Sequence, residues 1–251
     1  AGWPVLYFPE PAGCVVVAFR GQLFESKGGT LMFPTLDEFY EWMPALLGGL
    51  KISLQVAALS LAIGIPLGLG LALGVGAKSR ATRYVSLFLV EIGRGAPALV
   101  LLQFMYFGLP STGLTMTSFA AAVVALAWNT GAYTSEIIRA SLQSIHHGQR
   151  EAAEAMGFST LDELRFVLLP QALRVALPAL LGFAILIFQS TSLCFTIALP
   201  ELVSNAYEIG ANTFRYMPAL MLAGLLYATI CVPAAWIVSY VEKRSSAYAA
   251  R

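Results

Sequence analysis

Charge is what this sequence has least of. Only 12% of its 251 residues are Asp, Glu, Lys or Arg and 58% are hydrophobic, against about 25% charged in a soluble domain. That balance places the chain in a bilayer. Other scarcities each remove a class. The two histidines, His146 and His147, and the three cysteines, Cys14, Cys194 and Cys231, have no metal-ligand spacing, so no metal site is expected. With a net charge of +1 and no basic run, nucleic acid is not expected as a partner. No G-x-x-x-x-G-K-[ST] phosphate loop occurs, so the chain does not split ATP by that route. The apolar runs hold no Ser/His, paired-Asp or His-rich constellation, so no catalytic residue is assigned and the chain is not read as an enzyme.

What the sequence has in quantity is apolar length. Five intervals, 52–77, 85–108, 117–138, 175–200 and 216–241, reach or approach the roughly 20 residues that cross a membrane. The fold class expected is all-α, a multi-pass membrane protein with five transmembrane helices. In the first, Gly64, Gly68, Gly70 and Gly74 form two small-xxx-small pairs that let another helix come close, and Pro66 is placed to bend it. Glu91 and Arg94, with Gly95 and Pro97, are read as structural, fixing a bend where the second span enters. Residues 37–43 form an acidic, aromatic segment suited to a membrane interface, and 201–215 reads as a polar loop. Assigning loops alternately beyond Met32 puts Lys78, Arg80, Arg83, Arg139, Arg150, Arg165, Arg174, Lys243, Arg244 and Arg251 on one side and Lys51 and Arg215 on the other. By the positive-inside rule the N-terminus is outside and the C-terminus in the cytoplasm.

Residues 1–31 offer no span, no period and no basic leader. Lys27-Gly28-Gly29 can be encoded by a purine-rich ribosome-binding sequence just before Met32. The expectation is that 1–31 are non-native or poorly ordered and that the membrane domain is 32–251.

The longest charged, amphipathic interval, within 140–174, carries the strongest local signal. Gln149 to Met156 are mostly good helix formers, and Gly157 falls where a left-handed C-terminal cap would sit. Thr160 is placed to cap a second helix, with Glu163 completing a capping box. Ala152, Ala153 and Ala155 keep the first helix thin enough to be gripped by another protein. His146 and His147, just before it, read as a solvated loop pair.

The spacing Glu151-Ala152-Ala153, three residues, Gly157, nine residues, Val167-Leu168-Leu169-Pro170 resembles the cytoplasmic coupling loop of the membrane subunits of bacterial ABC importers. Glu91-Ile92-Gly93-Arg94-Gly95-Ala96-Pro97, the run from Ala132 to Arg139, and Thr191-Ser192-Leu193 look like the polar amino acid permease family within it. The resemblance implies the type I ABC importer permease fold. It implies an inner-membrane subunit that needs no cofactor of its own, ATP being bound by partner ATPase subunits that grip Glu151, Ala152, Ala153, Met156 and Gly157. It also implies a second permease subunit, identical or different, and an extracytoplasmic solute-binding protein that delivers a polar amino acid. Where the family often has a lysine ahead of Thr-Ser-Leu, this chain has Gln189-Ser190, so the charge of that amino acid does not carry over.

Polar side chains at membrane depth are costly unless they face protein or water. Asn129, Tyr133 and Glu136 share one helical face, and Gln189, Ser192 and Thr196 share another. Asn129, Tyr133, Gln189, Ser192 and Thr196 are therefore candidates for the substrate path. Glu136 is read as an interfacial partner of Arg139. The alternative function is an ion-coupled secondary transporter, which would need no ATPase; the short chain and the lack of an internal repeat speak against it.

Overall fold

A computed structural model describes residues 33–249; the expectation for 1–31 lies outside them. The chain is helical, and its axis is α1 (Leu36–Val75). Thr35 starts this helix: its hydroxyl accepts the Glu38 N–H at 3.4 Å, and the Glu38 carboxylate takes the Thr35 N–H at 2.8 Å. This capping box satisfies two donors that a helix start otherwise leaves open. The helix then runs 40 residues through Pro44 and Pro66. The expected interfacial segment 37–43 is thus its first two turns; within it Asp37, Phe39, Tyr40 and Glu41 are exposed and Trp42 is buried, starting an inward face that continues through Leu46 and Leu50.

Helix α4 (Ser118–Gln143) lies directly against α1. A Cβ on Gly64 would meet the Ala127 carbonyl at 2.8 Å and the Thr130 side chain, and one on Gly68 would meet the Gly131 carbonyl at 2.9 Å and Thr134. Contacts advance together along both helices, from Ser60 with Val123 to Gly68 with Thr134, so α1 and α4 run parallel. Of the two expected glycine pairs, only Gly64 and Gly68 serve this contact. Gly70 faces open space, and Gly74 packs on Ser86 of α2 (Arg80–Gly95).

The second span is not one helix from 85 to 108. Helix α2 ends at Gly95, and α3 (Ala98–Gln103) leaves at 105° to it, continuing as a π turn, Phe104–Gly108, and a 3₁₀ turn, Leu109–Thr112. Pro97 is the cause. It supplies no N–H to α2, and its ring drives the preceding residue out of the helical region; Ala96 is extended at φ −84°, ψ 131°. The bend expected from Gly95 and Pro97 is present and larger than a kink. Because α1 and α4 are parallel, this bent unit carries the chain back to the end from which α4 starts.

Helix α5 (His147–Ala155) and a short α6 (Thr160–Asp162) precede a π turn, Glu163–Leu168, then α7 (Leu169–Ser190) and a 3₁₀ segment, Thr191–Ile197. The expected polar loop 201–215 is instead mostly α8 (Leu202–Thr213), and α9 (Tyr216–Ala249) closes the described chain. Three stretches, Leu36–Val75, Thr160–Ile197 and Tyr216–Lys243, are long and apolar enough to cross a membrane, and a bent pair, Arg80–Gly95 with Ala98–Thr112, makes a fourth if it is one span. Helix α4 is less apolar because its second half is polar, and there Thr134, Ser135 and Ser141 are buried against protein.

Two apolar cores flank α1. One joins Val56 to Leu101, Leu102, Ala122, Leu126 and Ile197; the other joins Trp42, Leu46 and Leu50 to Phe188, Leu202 and Leu222. The start of α1 is also tied to the α8–α9 turn, where Arg215 donates to the Phe33 carbonyl at 3.1 Å and pairs with Glu38.

The α1–α4 approach gives a direct test. Gly68→Leu should lower stability by about 1–3 kcal/mol or block folding, because backbone lies behind the clash. Gly70→Leu should stay within about 0.5 kcal/mol of the parent. Unfolding of the two purified variants in detergent micelles measures the difference.

Candidate functional site: the docking loop and the polar faces

The candidate docking loop is built around its first helix. His146 caps α5, its ring Nδ1 accepting the Gly148 N–H at 3.1 Å, and His147 Nδ1 lies 3.0 Å from Glu151 Oε1 on the next turn. The two histidines are thus parts of the helix start rather than of a loop. At the other end Gly157 is left-handed, φ +79°. The Phe158 N–H bonds the Ala153 carbonyl at 3.1 Å and the Gly157 N–H bonds that of Glu154 at 2.9 Å, which is the Schellman closure expected of glycine. The cap that follows is Ser159, not Thr160: its hydroxyl accepts the Asp162 N–H at 3.3 Å and donates to the Asp162 carboxylate at 2.6 Å. Ser159 is the extended residue, so it and not its neighbour can fold back. The outcome is a helix with one buried residue, Ala153, and with Glu151, Ala152, Glu154, Ala155 and Met156 exposed. It follows directly on α4, at the opposite end of the bundle from the Glu38–Arg215 pair.

The polar face of α4 lies against the broken end of α2. A helix end leaves its last carbonyls without intrahelical partners, and here Pro97 places that end among apolar segments. The Trp128 indole N–H donates to Leu89 at 3.1 Å, the Asn129 amide to Gly93 at 2.9 Å, and the Tyr133 hydroxyl to Arg94 at 3.4 Å. Backbone approach makes this reach possible: a Cβ on Gly93 would sit 2.6 Å from Ala132 Cβ. Arg94 then pairs with Glu136 at 3.2 Å, and Arg139 donates to the same carboxylate through Nε at 3.2 Å. Glu136 therefore sits between two arginines, one more than the sequence suggested. Glu91, Arg94, Tyr133, Glu136 and Ile137 border an open cavity of about 330 Å³.

The second polar face is differently disposed. Ser192 donates to the Gln189 carbonyl at 2.7 Å and Thr196 to that of Leu193 at 2.8 Å, both within their own segment, while the Gln189 side chain is exposed. Among the described residues no hydrogen bond joins this face to Asn129 or Tyr133. The nearest link is Tyr133 stacking on Phe183 of α7, centroids 5.4 Å apart and planes 27° apart.

One profile of known families matches residues 64–247; the family is described as "Binding-protein-dependent transport system inner membrane component". This chain belongs to that family. The permease is 33% identical over 208 residues to the "Probable amino-acid ABC transporter permease protein YckA" of Bacillus subtilis (strain 168), covering 83% of this chain and 92% of that one. It is 36% identical to two further relatives, the "Arginine transport system permease protein ArtQ" of the same bacterium and the "Glutamine transport system permease protein GlnP" of Escherichia coli (strain K12), each covering 80% of this chain and 93% of the other. A solved structure, "Crystal structure of an amino acid ABC transporter with histidines", superposes with a TM-score of 0.79 at 31% identity over 85% of this chain and all of that one. The permease has the type I ABC importer fold, and the family works with ATPase subunits and binding proteins.

Sequence reasoning missed a third polar cluster. Glu201, with no exposed surface, caps α8 by accepting the Val203 N–H at 2.9 Å and the Ser204 N–H at 2.8 Å. Ser53 of α1 and Tyr227 of α9 each place a hydroxyl 3.3 Å from the same carboxylate. Burial pushes this carboxyl above its ordinary range, and the four donors act in the opposite sense. The signal was an acid between Pro200 and an apolar pair, placed to start a helix.

Asn129→Leu removes a buried donor and leaves the Gly93 carbonyl unpartnered, so it should cost about 1–3 kcal/mol. Thr196→Val, whose hydroxyl bonds only its own segment, should change stability by less than about 0.5 kcal/mol. Thermal unfolding of the two purified variants side by side measures both.

Proposed function

We propose that this permease carries a polar amino acid across the bacterial cytoplasmic membrane, driven by an ATPase that grips α5. The observation that carries the reading is α5 itself: a thin helix exposed on every face but Ala153 and locked at both ends. Membership of a binding-protein-dependent family favours it over ion-coupled transport, and the relatives named for arginine, glutamine and amino-acid systems support an amino acid as cargo. ATP is bound by the partner, and this chain contributes Glu151, Ala152, Ala153, Met156 and Gly157 to the joint. The N-terminus lies outside and the C-terminus in the cytoplasm, on the ten-to-two distribution of basic loop residues beyond Met32.

The path would run along Gln189, Ser192 and Thr196 and past Tyr133, which stacks on Phe183 of α7 and borders the cavity beside Arg94, with Asn129 in the wall behind. Gln189 is an exposed amide on an apolar helix, so this face is completed by water and by a second permease subunit, the same chain or a related one. Closure of the ATPases would draw two α5 helices together and rock the bundles between outward and inward access.

Two measurements test this. Glu151→Lys or Gly157→Pro should leave the permease in the membrane but reduce co-purification of the ATPase by about tenfold or more, as loss of a central interface anchor does; normal coupled uptake by both variants would overturn the docking assignment. Single cysteines at Gln189 and Ser192 should react with a water-soluble thiol reagent and be protected by the transported amino acid. A cysteine at Ile237, an exposed apolar position of α9, should stay unreactive, and equal labelling at all three positions would remove Gln189 and Ser192 from the path.

A further inference from the structure

The Glu201 cluster reaches further than a helix cap requires. Two backbone N–H groups complete the cap, yet the same carboxylate also meets Ser53 and Tyr227. The Tyr227 hydroxyl lies 3.3 Å from Glu201 and 3.3 Å from Thr191; Thr191 gives its own proton to the Phe188 carbonyl at 2.7 Å, so the single Tyr227 proton serves one of the two oxygens at a time and bridges α8 and the first residue of the 191–197 segment. On the other side Ser53 takes the Leu202 N–H at 3.3 Å, the Asn205 amide donates to the Ala45 carbonyl at 2.8 Å, and a Cβ on Gly49 would sit 2.7 Å from the Glu201 carbonyl. Helix α8 is thereby fastened to the first half of α1, backbone against backbone. The connection from 191–197 to α8 along the chain is a short turn through Ala198, which is left-handed at φ 55°, and Pro200. Tyr227 provides the second, through-space tie.

We propose that Glu201 is a positioning residue for the transport path: through Tyr227 and Thr191 it holds the 191–197 segment, and with it Ser192 and Thr196, to the body formed by α8, α9 and the first half of α1. The consequence is mechanical. The segment follows that body when the bundle rocks, instead of following α7, to which it is covalently continuous. The path role of Ser192 and Thr196 rests on the function proposed above, whereas the tie itself does not.

The chain carries its own reporter. Cys194 lies in this segment and is wholly buried, while Cys231, one turn beyond Tyr227 on α9, is half-buried. Membranes containing the permease with its partners are treated with N-ethylmaleimide, and modification of each cysteine is followed by peptide mass spectrometry. Tyr227→Phe cuts the tie and leaves the cap of α8 whole; it should raise the rate at Cys194 by about fivefold, the population shift that one lost hydrogen bond permits, with Cys231 unchanged. Thr191→Val should reproduce this and Thr191→Ser, which keeps the hydroxyl, should not. Glu201→Ala should raise the rate at Cys194 at least as much. If Glu201→Ala alone exposes Cys194, the carboxylate is only a cap and the proposal fails. It fails equally if Cys231 rises in step with Cys194, because that is general loosening of α9, or if Thr191→Ser behaves as Thr191→Val. None of these readouts requires uptake, so failure of the docking or path assignment leaves them interpretable, and their failure leaves that assignment standing.

Discussion

The rest of the structure depends on how closely α1 and α4 approach at Gly64 and Gly68. Helices in lipid gain little from apolar contact alone, since lipid tails are as apolar as leucine, so association rests on tight packing and interhelical hydrogen bonds. Glycine supplies the first: the Ala127 and Gly131 carbonyls stand where side chains would otherwise be. With that contact made, α1 becomes an axis with one apolar core on each side, and the polar second half of α4 is shielded without needing an apolar surface of its own. The parallel direction of the pair then requires the chain between them to return across the bundle. The break at Pro97 divides that return into two pieces at a steep angle.

A broken helix among apolar segments creates a debt of backbone carbonyls, and α4 answers it. Asn129 and Tyr133 donate to the Gly93 and Arg94 carbonyls, whose intrahelical donors the break removes, and Trp128 adds a bond to the Leu89 carbonyl one turn earlier. A polar stripe that would suggest a water-filled path is thus partly occupied in closing a helix end, with Tyr133 and Glu136 also bordering the cavity. The stripe on Gln189, Ser192 and Thr196 has the opposite character, its hydroxyls turned onto their own segment and its amide exposed. Equal polarity in two stripes therefore reflects two different demands, one set by the backbone of a neighbouring helix and one by the surface.

The legible parts of the sequence were those governed by local chemistry. Gly157 announced a left-handed closure because few other residues take that conformation without strain, and the apolar runs around 52–77, 175–200 and 216–241 reappear within long helices. The α5 helix followed from its formers and its glycine. The failures came where a distant neighbour decides. Helix α1 extends back to Leu36 because Trp42, Leu46 and Leu50 have α7, α8 and α9 to pack against, which no local count reveals. Residues 201–215 read as a loop because their polarity is visible in the sequence and the Ser53, Ala45 and Tyr227 that receive them, 26 to 160 positions away, are not. Ser159 displaced Thr160 as the cap for a smaller reason: two adjacent hydroxyl residues compete, and only the extended one can cap.

Polar groups withdrawn from lipid must be satisfied by one another, and each such group is therefore also a fastener. In this chain the fasteners sit at junctions between helices rather than along them. Asn129 and Tyr133 join α4 to α2, Glu136 gathers Arg94 and Arg139, and Glu201 gathers α1, α8 and α9. The long faces between them are mostly apolar, and the α1–α4 face adds the bond from Ser60 to the Val123 carbonyl. If α5 receives an ATPase as proposed, its displacement would reach α2 through α4 and the Asn129, Tyr133 and Glu136 joints. The placement of charge and amide, and not the amount of apolar surface, thus decides where the helices of this permease are joined by directional bonds.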